Sequence, residues 1–122
     1  MKYTTKSVLL LALIASLVSF AKFDHCYNKN WATPDVYVHA CYSDISALYG
    51  ARHMDTKTWP YSSGKDSVEY PPLTGLVMWA TSLITPSQNF HWYFLINIFF
   101  IAILFMLASW MLSRLKPNFW YL

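Results

Sequence analysis

From Tyr70 to Ser113 the chain carries no Asp, Glu, Lys or Arg. A run of that length without a charge is hard to reconcile with a water-soluble domain, where about 25% of residues are charged. The rest of the composition agrees. Of 122 residues, 56% are hydrophobic, 19% aromatic and 12% charged. Few charges and many aromatics point to a chain built for a bilayer, as one small domain or a few membrane helices.

The charges are segregated. All six acidic residues fall between Lys22 and Glu69, and Lys22, Lys29, Arg52, Lys57 and Lys65 share that segment. The other cations, Lys2, Lys6, Arg114 and Lys116, lie near the ends. A net charge of +3 is too small to argue for nucleic acid, and no Lys/Arg cluster supports it, so no nucleic-acid partner is expected. With three glycines there is no phosphate-cradling Gly-rich loop. There is also no G-x-S-x-G and no Ser/His/Asp order of a hydrolase.

Three apolar runs are expected to be helices. The first, Ser7 to Ala21, lies between Lys6 and Lys22. It reads either as a short transmembrane helix with snorkelling lysines or as a secretion signal ending at Ser19-Phe20-Ala21. Both readings keep Lys2 and Lys6 inside and place the next segment outside the cytoplasm. The second run starts at Pro71-Pro72, where proline suits a first helical turn, and stops near Thr85-Pro86. It is marginal for a crossing. The third, Phe90 to Leu112, has full spanning length. Trp92 and Tyr93 would mark one interface, and Trp110, Phe119, Trp120 and Tyr121 the other. Three crossings would leave Arg114 and Lys116 outside, against the positive-inside tendency; a re-entrant second run would leave them inside.

The polar segment, residues 22–70, is too rich in Trp and Tyr for a disordered linker. Short helices lying on the membrane are expected. One of them is Asp44 to Met54, capped by Ser43 or Asp44, with Ile45, Leu48 and Tyr49 on a shared face. Trp59 to Gly64 reads as turns.

Candidate chemistry concentrates between Cys41 and Gly75. Asp44 sits among Cys41, Tyr42, Ile45 and Leu48, where a carboxylate is either a helix cap or a general base. Glu69 is either a site carboxylate or the last charge before a membrane helix. Arg52, Lys57 and Lys65 would attract any anionic headgroup. Cys26 and Cys41 are the only cysteines, and an oxidising compartment would let them pair; the alternative is two free thiols. His39, His53 and His91 lack metal-ligand spacing. His25-Cys26 with His39 and Cys41 does not match a zinc finger or knuckle, so loop histidines and no metal are expected.

The order W-x-x-P-D-x-Y-x-H-x-C-Y-S-D-I, then L-Y-x-x-R, W-P-Y and E-Y-P-P-L-T-G-x-x-M-W, from Trp31 to Trp79, resembles a known family. It is similar to the N-terminal part of bacterial GT-C fold integral-membrane glycosyltransferases. The nearest group is glycosyltransferase family 87, the polyprenyl-phosphate-mannose-dependent mannosyltransferases. The resemblance implies an all-α membrane protein of about three hydrophobic helices, with a loop of short interfacial helices after the first. It implies transfer of a sugar, mannose in that family, from a polyprenyl-phosphate donor to an acceptor outside the cytoplasm. Asp44 matches the presumed catalytic base, Glu69 and Tyr70 would lie beside the donor phosphate, and Arg52 would contact phosphate or sugar.

The expected organisation is a helix or signal over 1–22, an extracytoplasmic loop over 23–70, a second helix over 71–87, a third over 90–113 and an interfacial tail over 114–122. GT-C enzymes have many more helices, so a truncated or split transferase is expected, its partners being membrane lipids, the lipid-linked sugar and a larger membrane protein that completes the fold. No cofactor is expected. The alternative is a small non-enzymatic multi-pass membrane protein or subunit.

Overall fold

A computed structural model describes residues 4–62, 64–86 and 88–115. Among these the regular structure is entirely helical: α1 (Thr5–Asn28), α2 (Asp35–Val38), α3 (Asp44–Ala51), α4 (Pro72–Ile84) and α5 (Phe90–Arg114). Lys2, Lys116, Phe119, Trp120 and Tyr121, and with them most of the expected tail, lie outside the described residues.

Two helices are long and apolar enough to cross a membrane, α1 with 24 residues and α5 with 25. Only 6% and 11% of their most apolar windows are buried, which distinguishes them from core helices of a soluble protein. Leu10, Leu17, Val18, Phe99, Ile101 and Leu112 are among the large side chains they expose. Leaving each such side chain in water forgoes about 1.5–3 kcal/mol. A hydrocarbon solvent removes that cost. The second apolar run forms a shorter apolar helix. α4 has 13 residues, about 20 Å at 1.5 Å per residue, against a hydrocarbon core of about 30 Å. By length, two helices are long enough to span.

The first helix also outlasts its expected end at residue 22. No Gly or Pro interrupts it before Pro34, so it continues to Asn28, and Ser19-Phe20-Ala21 lies inside it. His25 and His91 are therefore helical residues, not loop histidines.

The helix starts follow side-chain chemistry. Thr4 Oγ1 accepts from Ser7 N–H at 3.2 Å, Ser43 Oγ from Ile45 N–H at 3.3 Å, and Asn89 Oδ1 from Trp92 N–H at 3.2 Å. Each satisfies one donor that the first turn leaves open. The helix ends repeat one backbone device. Asn30, Ala40 and His53 take positive φ (53°, 49° and 56°). The following N–H then reaches back five residues: Trp31 to Cys26 O at 2.9 Å, Cys41 to Val36 O at 3.0 Å, and Met54 to Tyr49 O at 2.9 Å. This closure tucks an apolar residue under the helix just ended. Cys41 and Met54 are accordingly buried. Glycine normally supplies the left-handed residue, but none of this chain's glycines has positive φ.

The structure comprises two compact units, Met1–Asp24 with Phe99–Leu122, and His25–Ile98. In the first, the described residues that are buried are the small Ala12 and Ser109. Thr5, Val8, Leu9, Ala12 and Ser16 form one less-exposed stripe, and Ala102, Met106, Ser109 and Ser113 another. Small residues let helices approach closely in a bilayer. In the second unit, Tyr49, Met54, Val68, Met78 and Tyr93 form a core, with Ile45, Leu48, Tyr61, Trp79 and Phe90 packed against it. Ile45, Leu48 and Tyr49 thus do share a face of α3. One buried polar pair links α4 to α5, Thr81 Oγ1 donating to Asn97 Oδ1 at 3.2 Å, and Asn97 Nδ2 donates within α5 to Tyr93 O at 2.9 Å. Cys26 and Cys41 form a disulfide.

Candidate functional site

The site is organised by both ends of α3. Because Ser43 supplies the cap, the Asp44 carboxylate is not spent on the helix backbone. It sits in the first turn, where the helix dipole favours a negative charge by about 0.3–1 kcal/mol. Asp44 is exposed and Tyr70 OH donates to its Oδ2. Hydrogen bonding to the Asp44 carboxylate is the first cause that holds both the Tyr70 and the Tyr42 phenol above the ordinary pKa of 10.0. The Asp44 charge adds to the shift in each case, since a phenolate beside a carboxylate would be repelled.

At the other end of α3, Arg52 Nη2 meets Glu69 Oε1 at 3.4 Å. Glu69 is 86% exposed, so this pair contributes little stability. The four residues singled out in the sequence are thus brought together as two pairs, with α3 spanning the gap to the consecutive residues Glu69 and Tyr70.

The stretch of chain that carries Glu69 and Tyr70 is clamped by Tyr61. Its hydroxyl lies against two carbonyl oxygens, Tyr70 O at 3.1 Å and Pro71 O at 2.9 Å. The ring then lies directly over Gly75, where a Cβ would overlap it. Glycine is required here by close approach, not by backbone angle. The preceding turns are tied down as well: Trp79 Nε1 donates to Lys57 O at 3.0 Å, and Lys57 Nζ to Leu83 O at 3.4 Å. Lys57 and Arg52, two of the three cations offered for phosphate, are therefore engaged within the chain.

A cavity of about 460 Å³ lies beside Tyr42 and Ser46, which flank Asp44 in sequence. Its walls include Trp31, Tyr37, Tyr42, Ser46 and Phe90. Tyr37 and Tyr42 stack at 5.9 Å with 11° between planes. Trp31 is fixed by a hydrogen bond from Nε1 to Cys41 O at 3.2 Å and by Phe90 at 5.0 Å, edge to face. Tyr42 links cavity and carboxylate. Sequence reasoning treated these aromatics as headgroup anchors and missed their convergence. Only the density of Trp and Tyr in residues 31–42 hinted at it.

No family model matches the chain, and no similar protein was found among the curated proteins or the solved structures.

Proposed function

We propose that the chain is a membrane protein whose polar segment handles a sugar, in the manner of the acceptor side of a GT-C glycosyltransferase. The observation that carries this reading is Asp44: an exposed carboxylate, free of capping duty, linked through Tyr42 to an aromatic cavity. Aromatic walls with a few convergent polar groups suit a ring that is apolar on its faces and polar at its edge. The reaction would be a displacement at the anomeric carbon. The acceptor hydroxyl attacks, its proton passes to Asp44, and the polyprenyl phosphate leaves with the bonding electrons. Tyr70 and Tyr42 would orient the carboxylate, and a phosphate oxygen would exchange for Glu69 on Arg52. The Cys26–Cys41 disulfide supports an oxidising, extracytoplasmic side for this segment.

Transfer of labelled mannose from polyprenyl-phosphate-mannose in proteoliposomes tests the reading. A general base contributes about 10²–10⁴-fold, so Asp44→Asn should lower the rate by that factor with the fold retained. Unchanged transfer would remove Asp44 from the mechanism.

A second reading is a non-enzymatic subunit. The engagement of Arg52 by Glu69 and of Lys57 by Leu83 O favours it, since a partner would then supply the cations for the donor phosphate. Absence of transfer by the purified chain, with activity recovered on adding a co-purifying membrane protein, would select this reading.

A further inference from the structure

His25, Asp35 and His39 converge at a place that the transferase reading leaves unused. One ligand-type atom from each lies within 4.8 Å of the other two. His25 Nε2 is 3.6 Å from Asp35 Oδ2, and the His25 and His39 rings are 3.8 Å apart between centroids. His25 Nε2 is buried without a hydrogen-bond partner, although two-fifths of its side chain (40%) is exposed. A buried imidazole nitrogen aimed at a carboxylate yet too far for a hydrogen bond is unsatisfied as it stands.

We propose that His25, Asp35 and His39 form a binding site for a divalent transition-metal ion, of which Zn²⁺ is the representative. Two imidazoles and one carboxylate are a borderline donor set that suits Zn²⁺ rather than Ca²⁺ or Mg²⁺, which take oxygen ligands. Tetrahedral bonds of about 2.0–2.1 Å put ligand atoms about 3.3 Å apart. The three atoms, within 4.8 Å, reach that spacing by a small side-chain contraction. The fourth position is open to water or a ligand.

The backbone pre-organises the set. Asp35 and His39 stand one helical turn apart, at the start and the C-cap of α2, joined by His39 N–H to Asp35 O at 3.0 Å. His25 precedes Cys26 and His39 stands two residues before Cys41, so the disulfide holds the two imidazole segments together. The proposed set keeps the two histidines of the superficial His25, Cys26, His39 and Cys41 grouping and replaces its cysteines. The cysteines are consumed by their bond, and the third ligand is Asp35. The expectation of no metal changes accordingly.

The test is Zn²⁺ titration of the full chain in detergent, under non-reducing conditions, by calorimetry. One equivalent is expected to bind, and Co²⁺ in its place should give the visible absorption of a tetrahedral site. Asp35→Asn and His39→Gln, which preserve shape, should each weaken binding at least about tenfold, the loss that outer-shell changes alone already produce. His53→Ala, at the separate His53–Asp66 pair, should leave affinity unchanged. No binding by the disulfide-intact wild type would overturn the proposal. Equal affinity in wild type, Asp35→Asn and His39→Gln would overturn it too.

Discussion

Tyr70, at the threshold of α4, donates its hydroxyl to Asp44, in the first turn of α3, across 26 residues of chain. The bond joins the start of α3 to the stretch that leads into α4. It also has a pH signature. The hydrogen bond to Asp44, then burial and the Asp44 charge, raise the Tyr70 pKa above 10.0. A folded-state pKa above the unfolded value means stability that is present below about pH 10 and lost as pH rises through the folded pKa. Ultraviolet titration of the phenols should therefore show Tyr70 ionising above 10 in the wild type. In Asp44→Asn its midpoint should fall back toward 10. A midpoint indifferent to that substitution would mean that the pair does not form.

The disulfide closes a loop with a sequence separation of 15. Loop-closure entropy of that size corresponds to about 3 kcal/mol. Cys26→Ser with Cys41→Ser should lower unfolding free energy in detergent by about that amount, followed by circular dichroism against denaturant. A loss below about 1 kcal/mol, well short of the loop-closure value, would show that the helical packing holds the segment unaided.

Gly75 lies under the Tyr61 ring with no room for a methyl group. Gly75→Ala should destabilise the chain by about 1–3 kcal/mol through overpacking. In a Tyr61→Ala background the same change should cost much less, because the overlapping ring is gone. A double-mutant cycle with no coupling would place the clamp elsewhere.

Ala40 holds a left-handed backbone at φ 49° with its side chain exposed. An L-residue there costs about 1–2 kcal/mol, part of which glycine gives back as lost unfolded-state entropy. Ala40→Gly should therefore stabilise the chain by about 0.5–1 kcal/mol, the difference of those two effects, seen as a higher denaturation midpoint. A lower midpoint would mean that the left-handed turn is not strained.

Much of the local structure was legible in the residues. The apolar runs, the Ser43 cap, the apolar face of α3 and the proline start of α4 are short-range, so neighbouring side chains specify them. The end of α1 was misplaced because Lys22 was read as a boundary. A charge does not stop a helix, whereas Asn30 in the left-handed conformation does. The second run was already marginal for a crossing by its residues, and its 13 helical residues keep it so.

By itself the sequence determined that this is a helical chain with apolar stretches suited to a bilayer, and that most of its ionisable groups fall in one segment. Hydropathy and helical periodicity are local properties, and they survive without knowledge of the fold. Only the tertiary structure decided which of those groups meet. Asp44 with Tyr70, Arg52 with Glu69, and His25 with Asp35 and His39 are brought together by loop closure and the Cys26–Cys41 bond. Such pairings depend on how the chain returns on itself, which residue spacing alone does not record.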